Sequence, residues 1–168
     1  MRNRIITLCV FFIAAVFIGG CSDRAGKSLC ADFKAEFSAQ YNGLSFGGSL
    51  LSTRQGNTNL TLSRPATLGN LELGIRNGEL SLTRGRVSCT ADEGYLPDSS
   101  FPSLLRRIFR GITDGRARLI KSNEENLVYS LDVGSENCEI VSDSEGLPQT
   151  ISMEEPKLLL KLENVVGL

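Results

Sequence analysis

Reactive side chains are scarce in this chain of 168 residues, and the gaps narrow its chemistry. Histidine is absent. That removes imidazole acid–base catalysis, Ser-His and Cys-His nucleophile pairs, and the commonest zinc and haem ligands. Carboxylates occur as the neighbours Asp92/Glu93, Glu124/Glu125 and Glu154/Glu155. Adjacent residues on a strand point to opposite faces, and each pair stands beside a turn signal, so these read as solvated turn charges rather than acid–base couples. Cys30, Cys89 and Cys138 lie beyond residue 21. Three is an odd number, so at most one internal bridge can form and one thiol is left over. Cys89 and Cys138 share parity with nearby inward residues; buried small hydrophobes is the favoured reading, a bridge the alternative. No Cys-x-x-Cys pair, glycine-rich phosphate loop or nucleophile elbow is present. The expectation is a protein with no catalytic residues, no metal and no cofactor. Arg106, Arg107 and Arg110 are the remaining chemistry, either as contacts to lipid headgroups or as the wet face of a helix.

Cys21 is the thiol whose surroundings name a reaction. Arg2 and Arg4 supply a positive start, residues 5–18 form an apolar run, and the small residues Gly19 and Gly20 precede the cysteine. These are the parts of an export signal, and the run is shorter than the roughly 20 residues of a spanning helix. Ile18-Gly19-Gly20-Cys21 resembles the bacterial lipobox. That resemblance implies cleavage before Cys21, diacylglyceryl and fatty-acyl (palmitate-class) modification of Cys21, and attachment to the extracytoplasmic face of the cell membrane. The organisation expected is a signal over 1–20, an acylated Cys and short tether over 21–30, and one domain over 31–168. Loss of Arg2 and Arg4 takes the 18 basic side chains to 16, against 19 acidic, so the mature body is mildly acidic and gains nothing electrostatically from anionic lipid. Nor does it carry the basic field that nucleic acid requires. Residues 22–28 are polar and contain Gly26; seven residues reach at most about 25 Å, so the domain stays close to the bilayer.

One amphipathic helix is predicted within residues 97–115. Phe101, Leu104, Leu105, Ile108, Phe109 and Ile112 recur at steps of three and four and form one stripe. Ser99 or Ser100 can cap it, Pro102 suits an opening position, and Gly115 can end it. Almost everything else alternates with period two. Phe33, Ala35, Phe37, Ala39 and Tyr41 face one way, Asn42-Gly43 turns the chain, and Asn77-Gly78 makes a second hairpin. Gly85 reads as a bulge, because Val87 and Cys89 change parity relative to Leu82. After the helix, Leu127, Tyr129, Leu131 and Val133 alternate, then Cys138 and Ile140. About nine or ten strands with short connections argue a mainly β (α+β) fold. The sheet should be antiparallel and curled, an incomplete barrel with one helix against its concave face.

Glu145-Gly146-Leu147-Pro148, followed by the Ile151/Met153 strand and the Leu158/Leu160/Leu162 strand, resembles the closing half of the lipoprotein-carrier superfamily (LolA-like and LppX-like proteins). The order of opening strand, hairpins and mid-chain helix also matches over roughly residues 31–164. The resemblance implies a half-barrel whose cavity accepts acyl chains, lined here by the six helix positions with Phe33 and Phe37. Two functions are therefore expected as rivals. One is an anchored lipoprotein that binds or transfers a lipid or acyl chain between helix and sheet. The other is a tethered protein with a filled core that docks and regulates another exported envelope protein.

Overall fold

The computed structural model describes residues 28–168. The signal, Cys21 and most of the tether lie outside the described residues. Strands β1 (Phe33–Tyr41), β2 (Leu44–Ser52), β3 (Thr58–Arg64), β4 (Leu71–Arg76), β5 (Glu79–Arg84) and β6 (Val87–Asp92) run as one antiparallel meander. Helix α1 (Phe101–Thr113) follows, and then β7 (Arg118–Ser122), β8 (Asn126–Val133), β9 (Glu136–Asp143), β10 (Pro148–Met153) and β11 (Leu158–Gly167) make a second meander. The halves join where β1 pairs antiparallel with β11. This gives one eleven-stranded sheet in the order β6-β5-β4-β3-β2-β1-β11-β10-β9-β8-β7. Strands β6 and β7 are its free edges, and α1 is the crossover between them. The curled, incomplete barrel with a single helix among the described residues is the architecture expected.

Local chemistry explains the pairing. Asn42 and Gly43, like Asn77 and Gly78, both take positive φ, which matches the twist of a two-residue hairpin. Gly85 does something other than expected. It has φ +61° and, with Arg86, forms the turn between β5 and β6, where Arg84 faces Val87. Leu82 and Cys89 thus stand opposite one another on the same face. The apparent parity change is a hairpin reversing direction rather than a bulge, and it yields the eleventh strand. Residues 65–70, which break the alternation, contain a short 3-10 turn at Ala66–Leu68.

The helix follows its sequence signals. Ser100 is the N-cap, its Oγ accepting from the Ser103 amide, with Pro102 in the first turn. Gly115, at φ +68°, closes the other end. Its amide donates to the Ile112 carbonyl and the Arg116 amide to that of Gly111, so the last carbonyls are satisfied. Gly111 lets the helix settle against β8, since a Cβ there would lie 2.8 Å from a Leu131 methyl.

One core fills the concave side, with Phe33, Leu50, Leu60, Ile75, Leu131, Ile140, Ile151 and Leu160 each at most 2% exposed. Thirteen residues of helix span about 20 Å, whereas eleven strands at about 4.8 Å spacing spread over about 50 Å. Helix α1 lies nearest β8, and the far edge at β6 is left uncovered. Every residue of β6 is exposed. Among the described residues no helix is long and apolar enough to cross a membrane.

Candidate functional site

The helix stripe is where the chain predicts a pocket, and the structure brings its residues together. Leu104, Leu105 and Ile108 are fully buried, Phe109, Ile112 and Phe101 nearly so, and Phe33 and Phe37 meet them from β1. Phe33 and Phe109 stand edge to face with centroids 5.6 Å apart, and Phe37 lies 6.4 Å from Phe101. Phe46 stacks on Phe101 at 5.3 Å, and the Tyr41 hydroxyl donates to the Ser99 carbonyl, pinning the start of α1 to β1. Burial pushes the Tyr41 hydroxyl pKa up, partly offset by the Arg107 charge. None of the cavities described in this subsection is lined by the six apolar helix residues. Cys21, the predicted acylation site, lies outside the described residues.

Helix α1 presents its other face to a cavity of about 230 Å³. Its walls are Ser103, Arg106, Arg107 and Arg110 from α1, and Glu93, Gly94, Leu96 and Asp98 from the stretch after β6; Ile75 closes it from β4. Asp92 positions that stretch by capping its 3-10 turn, its Oδ1 accepting from the Gly94 amide at 2.7 Å. Glu93, read from the sequence as a solvated turn charge, instead forms an ion pair with Arg106. Burial lowers the Arg106 pKa, and the nearby charge of Arg110 lowers it further. Arg107 donates to the Asp98 carbonyl at 2.9 Å, and its buried Nε has no partner among the described residues. The other two acidic pairs, Glu124/Glu125 and Glu154/Glu155, are exposed beside turns as expected.

Three further cavities lie along the strands. One of about 460 Å³ includes Phe46, Arg64 and Lys161; one of about 430 Å³ crosses Ser49, Thr61 and Ser81; and one of about 580 Å³ reaches Phe37 and Glu163. A fifth of about 460 Å³ is bounded by Glu136, Glu139 and Ser152. None gathers a metal-ligating set, and among the described residues no group of three or more Cys, Asp or Glu is placed to hold a metal ion.

No protein-family profile matches the sequence, and no curated protein does. Solved structures do resemble the fold. An uncharacterized conserved protein from Thermus thermophilus is 13% identical with a TM-score of 0.51, over 87% of this chain and 84% of that one. A LolA superfamily protein from Nitrosomonas europaea is 11% identical with a TM-score of 0.43, over 84% of this chain and 89% of its own. A structure of the Pseudomonas aeruginosa MucA/MucB complex is 13% identical with a TM-score of 0.45; it matches over 80% of this chain, which spans only 51% of that one. The likeness is one of fold.

The thiols correct one expectation. All three described cysteines are free. Cys138 is buried, as its parity indicates, and burial with the neighbouring Glu139 pushes its pKa up to about 12. Cys89 faces the concave side but is exposed, because α1 approaches only the end of β6, at Glu93, and leaves the middle of the strand open. In native protein a bulky maleimide is therefore expected to modify Cys89 rapidly and Cys138 only after denaturation, read by peptide mass spectrometry. Equal native rates at the two sites, or a bridge between them, would contradict this placement.

Proposed function

We propose that this protein is a lipid-anchored interaction protein of the cell envelope, which docks an extended segment of an exported partner along the free edge of β6. Acylated Cys21 holds it at the extracytoplasmic face of the membrane, and the tether keeps the domain within about 25 Å of that anchor. The observation that carries the reading is the state of the edge. Sheets commonly guard their edges with lysine, proline, bulges or very short strands. Strand β7 is guarded, with Arg118, Lys121 and a register break between Leu119 and Lys121. Strand β6 has no such device. Val87-Ser88-Cys89-Thr90-Ala91-Asp92 pairs with β5 in unbroken register, carries no charge before its last residue, and is exposed throughout. Its outer backbone groups suit strand addition, while the alternate side chains Val87, Cys89 and Ala91 give an arriving strand apolar contacts.

The test places a photoreactive residue at Ser88 on β6 or at Ser122 on β7 in cells. A discrete protein adduct from Ser88, absent from Ser122 and abolished by Thr90→Pro in a variant that still folds, is the expected result. Equal adducts from both edges would refute docking at β6.

Lipid binding or transfer remains a second reading, favoured by one specific observation. Val87, Cys89 and Ala91 share the inward face of β6 beside the half-buried Leu82, yet all three are exposed. An acyl chain could lie along that strip beside the helix rather than beneath it. A lipid recovered in stoichiometric amount by organic extraction of the native protein, apart from the covalent anchor, would favour this reading over docking.

A further inference from the structure

We propose that the cavity between α1 and the Glu93–Leu96 stretch is a binding site for a phosphate group. The electrostatics come first. Arg106, Arg107 and Arg110 line one cavity of about 230 Å³, and Glu93 and Asp98 are its acidic residues. Glu93 is taken up by Arg106. The Asp98 group that meets Arg107 is its main-chain carbonyl, a dipole rather than a charge. Arg110 has no ion pair among the described residues. The cavity is therefore a cationic spot on a domain that carries more acidic than basic side chains over residues 28–168.

Hydrogen-bonding capacity gives a second, independent argument. The Arg107 Nε is buried without an acceptor, and a buried donor left unpaired costs free energy that a ligand oxygen can recover. Ser103 supplies a hydroxyl in the same wall. Planar guanidinium groups bind tetrahedral oxyanions through paired N–H donors, so the Arg107 Nε and the Arg110 guanidinium in one lining suit a multi-oxygen phosphate better than a single carboxylate. Ile75 and Leu96, also in the lining, give the substituent of a phosphate ester an apolar wall. The site begins at Glu93, just after β6 on the turn that Asp92 caps, but Arg107 and Arg110 lie on α1 and Ser88 and Thr90 on β6, so the two proposals are tested by different residues and either can fail alone. The phosphate can belong to a lipid headgroup or to a free ion; the recognising chemistry is the same.

The experiment uses the intact acylated protein in a non-ionic detergent, titrated calorimetrically with inorganic phosphate and, separately, with dihexanoyl phosphatidic acid below its micelle concentration. Saturable binding of the lipid alone would assign the site to a headgroup, and binding of both with similar affinity to free phosphate. Arg107→Gln and Arg110→Gln are each expected to weaken binding about tenfold, the loss of one charge-assisted hydrogen bond. Arg84→Gln, at the far end of β5, should change nothing. Circular dichroism should show all three variants folded, and Arg110 is exposed, so its variant reports on the ligand rather than on the fold. Failure of both probes to bind, equal binding by the double Arg107/Arg110 variant, or equal binding of chloride would overturn the proposal.

Discussion

Replacing Cys21 by alanine is expected to abolish acylation and signal cleavage together, leaving one larger species with no thioether-linked lipid. The argument runs from the sulfur outward. A lipoprotein signal is cut before the cysteine only after that cysteine has received its diacylglyceryl group, so removing the nucleophile blocks both steps. In wild type, inhibiting lipoprotein signal peptidase with globomycin should instead leave a precursor that is acylated but uncut. The two treatments then separate by mass, one carrying lipid and the other not. The consequence for the mature form is large, because its attachment is expected to rest on the lipid; the uncut Cys21→Ala precursor instead keeps the apolar run over 5–18. A mature body beginning at Cys21 would carry 16 basic against 19 acidic side chains without Arg2 and Arg4, and an acidic body is not drawn to anionic lipid. A single acyl chain gives only marginal, reversible binding, whereas two or more give a stable anchor. Mass spectrometry of the mature N-terminus reads the result directly. An unmodified N-terminus elsewhere than Cys21 would remove the anchor from the proposed function.

Sequence periodicity located the helix well because the six stripe residues, the cap at Ser100 and the closing Gly115 agree at three levels of local structure. The Asn-Gly hairpins were equally legible, since the positive φ at both turn residues is intrinsic to those residue types. Gly85 was ambiguous for a physical reason. A glycine that changes the parity of the alternation is compatible with a bulge and with a two-residue turn, and only the pairing of Arg84 with Val87 decides between them. Cys89 marks a different limit. Alternation tells which face a residue occupies but not whether anything lies over that face. Here a helix of about 20 Å serves a sheet of about 50 Å, so inward at Cys138 means buried and inward at Cys89 means exposed. The joining of the two meanders into one sheet depends on the β1–β11 pairing, a contact between the two ends of the domain that no local signal reports, and β6 is an edge because β7 pairs only with β8. The Arg106–Glu93 ion pair is similar. It depends on how the stretch after β6 returns to the helix, and the sequence offers only a pair of acids beside a turn.

Phe109→Ala is expected to destabilise the domain by about 3–5 kcal/mol, the range for truncating a large aromatic side chain in a close-packed core. Phe109 is 1% exposed and meets Phe33 edge to face at 5.6 Å, so deletion removes both the burial and an aromatic contact. Leu104, Leu105 and Ile108 beside it are fully buried and cannot close the space without moving α1 from β8, where Gly111 already sits tight against Leu131. Set against a typical total of about 5–15 kcal/mol, that loss is a large share of the stability. Arg110→Ala on the exposed face of the same helix should stay within about 0.5 kcal/mol. Urea unfolding of a soluble form beginning at Ser22 measures both, and an unchanged slope would assign the difference to stability rather than to a change in the unfolded chain. The size of the effect also bears on function. A ring packed on all sides loses the full amount, while a ring bordering an acyl pocket has fewer neighbours to lose. A cost below about 1 kcal/mol, outside the core-deletion range, would return the acyl chain to the space beneath the helix and count against a filled core there.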